Sequence, residues 1–119
     1  MNSTNHYFDN ISNVIGDEYY LLMDIVKDLL DMFSENNINN LYDLIKKKKI
    51  IEATIIIKRL ESAALNFNMK DTKKALGIIE KKIYNRKKIN LEVEINTINK
   101  EIDKIKEMIE VEKSNSIGR

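Results

Sequence analysis

Three observations predict an all-α fold for this 119-residue sequence. There is no proline and there are only three glycines, so the punctuation that β-rich folds need is missing. Charged residues make up 33% of the chain, enough to clothe exposed helix faces. Apolar residues recur at steps of three and four along most of the length, the period of a helix with one buried face.

Five helical segments follow from that period. The first runs from Asp17 to Phe33, with Leu22, Ile25, Val26, Leu29, Met32 and Phe33 on one face. Its Asp17 and Glu18 suit the positive end of the helix dipole. Asn36 and Asn37 break the pattern, and Ile38, Leu41, Leu44 and Ile45 then line a second helix that frays in Lys46 to Lys49. The third carries a buried stripe of Ala53, Ile57, Leu60, Ala64 and Phe67. Its β-branched opening, IIEATIII, fits a strand by propensity, but the helical stripe continues unbroken to Phe67 and overrides that preference. Asn68 tolerates the left-handed backbone of a helix end, and Asp71 caps or charges the start of the next helix. The fourth helix uses Thr72, Ala75, Leu76, Ile79 and Ile83 as its inner face and stops near Asn85. Asn90 is the N-cap of the fifth, with Glu92 and Glu94 in its first turn. There Leu91, Ile95, Ile98, Ile102, Ile105 and Ile109 alternate by four and three, which serves either a bundle helix or a dimerising coiled-coil seam.

The length suits one domain with one core. Residues 1–10 are expected as a flexible segment, 11–112 as the helical domain and 113–119 as a disordered tail. Lysine plus arginine (20) nearly balances aspartate plus glutamate (19), so the overall field is weak and any charge-driven partner must use a local patch. The absence of cysteine excludes disulfides, thiolate metal sites and cysteine nucleophiles, and it points to a reducing cytoplasm. The opening MNSTNHYFDN is no signal peptide, and no apolar run reaches membrane-spanning length. Heavy use of Lys, Asn and Ile is the mark of an AT-rich genome, bacterial or phage, and lowers the functional weight of each such residue.

One stretch of the third helix has a more specific pattern. Positions 58 to 68 read Lys58-Arg59-Leu60-Glu61-Ser62-Ala63-Ala64-Leu65-Asn66-Phe67-Asn68, followed by Ile79-Glu80. This resembles the signature of the histidine-containing phosphotransfer domain, His-x-Leu-Lys-Gly-Ser-Ala-Ala-Asn-Leu-Gly and then Leu-Glu. The opening GDEYYLLMDIVKDLL resembles the family's first helix, and the resemblance covers about residues 16 to 110. It implies an antiparallel four-helix bundle with a short N-terminal helical cap, the signature helix presenting its face to a receiver domain.

The scaffold positions agree and the chemical ones do not. Where the resemblance implies the phosphorylated histidine there is Lys58, protonated at neutral pH and no nucleophile unless burial lowers its pKa. Glu61 stands at the lysine that steadies the phosphoryl group, and Ser62 adds bulk at the glycine. The resemblance therefore implies a degenerate, non-catalytic member with no cofactor and no metal. His6, the lone histidine, lies outside the bundle.

On the helical wheel, Ile51, Ile55, Lys58, Ser62 and Leu65 fall opposite the buried stripe, beside Glu61. An exposed apolar patch of this kind is either a partner-binding surface or is covered by the N-terminal helix. The first option makes the chain an interaction module that docks a receiver domain or histidine kinase without phosphotransfer, as a monomer or homodimer. The alternative is a small helical adaptor, chaperone or phage-type inhibitor unrelated to phosphorelay. Nucleic-acid binding through Lys46 to Lys49 and Arg86 to Lys88 is less favoured, because no aromatic residues interleave to stack bases. No glycine-rich phosphate loop or catalytic constellation appears, and acidic residues such as Glu101 and Asp103 are expected on solvated faces beside Lys104 and Glu107.

Overall fold

The computed structural model describes residues 7–9, 19–85 and 89–117, with side chains over 7–9, 20–85 and 89–111. Among them every regular element is helical: α1 (Tyr19–Met32), α2 (Glu35–Lys46), α3 (Ile50–Asn66), α4 (Lys70–Tyr84) and α5 (Glu92–Ile117). Asp17, Glu18 and the Arg86 to Lys88 cluster lie outside the described residues.

The break between α1 and α2 is shorter than the sequence suggests. Ser34 adopts extended backbone and its hydroxyl accepts the Asn37 amide at 3.4 Å, so Asn36 and Asn37 sit inside the first turn of α2. The Asn37 side chain donates 2.7 Å to the Asp31 carbonyl at the end of α1, which ties the two helices at their junction. The chain then reverses twice through the same turn. After α2, Lys49 N–H donates to Leu44 O (2.9 Å) and Lys48 N–H to Ile45 O (3.0 Å). After α3, Met69 N–H donates to Ala64 O (2.8 Å) and Asn68 N–H to Leu65 O (3.2 Å). This paired bonding needs a left-handed residue at its centre. Asn68 supplies it with φ 54, as its side chain predicts, and Lys48 supplies it with φ 58. The lysine run therefore forms a hydrogen-bonded helix end instead of fraying.

The predicted inner faces of α3 and α4 are buried in full, and those of α1 and α2 supply Val26, Leu29, Phe33, Ile38, Leu41 and Ile45 to the same cluster. Leu91 just before α5 and Ile98, Ile102, Ile105 and Ile109 within it are buried and Ile95 half-buried, so this seam packs inside the chain and is not open for a coiled-coil partner. Asn90 accepts the Glu92 amide at 3.0 Å, as expected for the start of α5. Helix α5 continues to Ile117, well into the segment expected as a disordered tail.

The segment expected to be flexible contributes to the core. Tyr7 to Asp9 form a helical turn in which Tyr7 and Phe8 are buried, Phe8 edge-on to Phe67 with centroids 6.5 Å apart. Beneath them lies Glu101, which is buried rather than solvated. Its carboxylate accepts the Thr72 N–H (2.9 Å) in the first turn of α4 and the Tyr7 O–H (3.1 Å). The residue before α4, Met69, makes no side-chain cap, so α4 is capped from α5 by Glu101, while Asp71 adds only first-turn charge. Burial, and then the Glu101 charge, push the Tyr7 phenol up to about 12, so it stays a donor at any ordinary pH.

Glu94 is the second buried acid. Lys82 of α4 pairs with its carboxylate and donates 2.8 Å to the Asn90 carbonyl, holding the end of α4 to the start of α5. Burial works to raise the Glu94 pKa, but the Lys82 hydrogen bond, the backbone N–H and the Lys82 charge together carry it below the usual carboxylate value.

Replacing Lys48 by glycine removes the side-chain clash of the left-handed backbone and should raise stability by about 1 kcal/mol in urea unfolding, with an unchanged m value. A depressed pKa stabilises the fold above the unfolded-state value and is lost as pH falls through the folded one. Lys82→Met strands a buried carboxylate and should cost about 2–3 kcal/mol near neutrality, and the gap to wild type should narrow as the pH falls and Glu94 protonates. A gap that stays constant with pH would remove Glu94 from the account.

Candidate functional site

Helix α3 buries Ala53, Ile57, Leu60 and Ala64, and its period then directs the opposite stripe outward. Ile51 is 78% exposed, Ile55 49% and Leu65 56%, with Lys58 and Ser62 exposed between them. Glu61 sits lower on the helix flank and is half-buried against α4. The N-terminal turn does not cover this face: Tyr7 and Phe8 pack against Glu101 and Phe67 instead.

Lys58 holds the centre of the stripe. Its ammonium lies 3.1 Å from Glu80 of α4 and 3.6 Å from Glu61 one turn along α3. The bond to Glu80, then the Glu61 charge, raise the Lys58 pKa above its ordinary value. The amine is thus fully protonated at neutral pH and has no lone pair for attack. Glu61 is pushed up by burial first and by the neighbouring Glu80 carboxyl second, with Lys58 acting in the other direction. Two carboxylates share one ammonium, so the charge of Lys58 is already engaged within the chain.

The sequence placed Lys58 and Glu61 together but not Glu80, which reaches them only because α4 doubles back along α3. The hint was present, since Glu80 closes the quoted signature. Two further residues of this face escaped notice. By the register that the Lys58–Glu80 pair sets, Tyr84 (60% exposed) lies one turn on in α4, and Gly77 lies one turn back, level with Ser62. Gly77 is mid-helix, where glycine costs roughly 0.5–1 kcal/mol relative to alanine. A Cβ built there meets nothing within 4 Å, so packing within the chain gives no reason for it.

The other candidate clusters are less open. Lys46 lies 4.5 Å from the centre of the Tyr42 ring, and Lys47 pairs with Asp43 at 2.9 Å, so half of the 46–49 lysine run is engaged within α2 and its cap. Between α1 and α5 a shallow groove of about 420 Å³ is lined by Leu30, Lys106, Glu107, Ile109 and Glu110. Among the described residues no three His, Cys, Asp or Glu side chains are grouped to hold a metal. None of the described helices is long and apolar enough to cross a membrane. His6 lies outside the described residues. Compared with protein-family models, with curated proteins and with solved structures, the sequence matches none of them.

Proposed function

We propose that this chain is a non-catalytic interaction module, an antiparallel bundle of the phosphotransfer kind that docks a protein partner in the cytoplasm through the outer face of α3. The partner class we favour is the receiver domain of a response regulator, or its kinase, bound without transfer of phosphate. One observation carries the reading. Ile51, Ile55 and Leu65 stand exposed around Lys58, whose ammonium is held by Glu61 and Glu80. Aliphatic side chains that surround an ion-paired lysine gain by being covered, whereas a phosphoryl acceptor needs a neutral nucleophile with a cation beside it. Ser62, at the level of Gly77, keeps the middle of the face low.

Binding of isolated receiver domains from the same organism, measured by calorimetry, should weaken more than about tenfold on Ile55→Asp, since a buried unpaired carboxylate is placed at the contact. Equal binding by the two proteins would remove the α3 face from the model. Restoring the histidine should not restore chemistry. Between two carboxylates the imidazole of a Lys58→His variant is held protonated and is no nucleophile. That variant should stay unlabelled when mixed with a phosphorylated receiver, and rapid labelling would show that the electrostatic argument is wrong.

A further inference from the structure

We propose that two copies of this chain associate through the α3/α4 face, about a two-fold axis running along the groove between the two helices. The inference rests on the reading of this face as a docking surface and names a second copy as its occupant.

The argument begins with level. Rotation about an axis parallel to the helices carries α3 of one copy over α4 of the other without shifting it along the groove, and every contact then occurs twice. The Lys58–Glu80 ion pair marks the shared level. Lys58 of each copy arrives at Glu80 of the other, where two carboxylates hold one ammonium. The charges alternate across the interface, and like charges do not face each other. One turn further, Ser62 comes down on Gly77, where an added Cβ would meet nothing within 4 Å inside the chain. Two small side chains there let the helix axes approach to about 8 Å, the close end of helix packing. In the other direction Ile55 meets the exposed ring of Tyr84, and Ile51 lies one turn beyond it. At the far end Leu65 covers the methylene stem of Lys73, an exposed residue two turns before Glu80.

The size also fits. Ile51, Ile55, Leu65 and Tyr84 together expose on the order of 400–500 Å², comparable to the largest apolar patch of a single chain, which is often functional. With the charged rim of Glu52, Arg59, Lys73 and Lys81 the face approaches the ~800 Å² per partner that a stable association uses. A dimer of this kind covers the α3 face, so any other protein that docks there must compete with it.

The test is a concentration series of the full chain followed by sedimentation velocity, with helicity checked by circular dichroism. Wild type should pass reversibly from monomer to dimer. Gly77→Leu, at a site where an added Cβ meets nothing within 4 Å in one copy, should keep its helicity and weaken the dimer more than about tenfold. Lys58→Glu and Glu80→Lys should each be monomeric alone, because each puts like charges opposite one another. An equimolar mixture of those two chains rebuilds both Lys–Glu contacts and should dimerise again. A wild type that stays monomeric to about 1 mM, or a mixture that fails to recover, overturns the proposal. A receiver domain that binds a purely monomeric wild type, and is lost on Ile55→Asp, overturns the dimer and keeps the docking reading. Charge-swap rescue in a protein that binds no receiver establishes the dimer and removes the receiver.

Discussion

A carboxylate buried at the start of a helix joins three pieces of chain that are remote in sequence. Glu101 projects from the middle of α5, satisfies an amide in the first turn of α4 and accepts the phenol of Tyr7, which lies 94 positions away. A buried charge is tolerated only where its hydrogen bonds are made, and the N-terminus of α4 offers both a donor and a favourable dipole. The requirement runs in both directions. Without Glu101 the first turn of α4 has no side-chain cap, and without the Tyr7 turn the carboxylate loses a partner and Phe67 loses its aromatic contact. The direction of α4 relative to α5 follows from this junction and from the Lys82–Glu94 pair at the other end of the two helices, while the turn at Asn68 brings Glu80 to Lys58.

Burial that depends only on helical period was legible in the sequence, and for that reason the inner faces of α3 and α4 and the seam of α5 could be named residue by residue. Asn68 was legible too, since few side chains accept a left-handed backbone. Lys48 in the same conformation was not, because its side chain carries no sign of it. Tyr7 and Phe8 form an isolated aromatic pair in a polar segment and have no period to reveal them. The buried acids left a weak trace. Glu94 and Glu101 share a heptad position with Met108, an apolar residue half-buried against the core, yet a glutamate beside a seam reads as solvated until its partner is known. Glu80, Gly77 and Tyr84 joined the α3 face only through the reversal at Asn68, so their role was a matter of tertiary register, which one helix alone does not encode.

The α3 face shows how an ion-paired centre and its aliphatic surround together set what a helix surface can do. A lysine held between two carboxylates stays protonated, and its amine is inert toward electrophiles over the physiological range. The aliphatic residues around it, exposed on a helix that is otherwise well buried, then become the main source of free energy the surface has to offer.

The repeated reversal after α2 and after α3 has a kinetic consequence. Both turns are closed by hydrogen bonds spanning three to five residues, and each joins helices that are neighbours in sequence. Such contacts form quickly, because little chain entropy is lost in closing them. The Tyr7 to Glu101 contact lies at the opposite extreme and must wait until α4 and α5 are in place. The N-terminal turn therefore closes the longest loop among the hydrogen bonds described, over a carboxylate that also caps α4, and its closure costs more chain entropy than the reversals near Lys48 and Asn68.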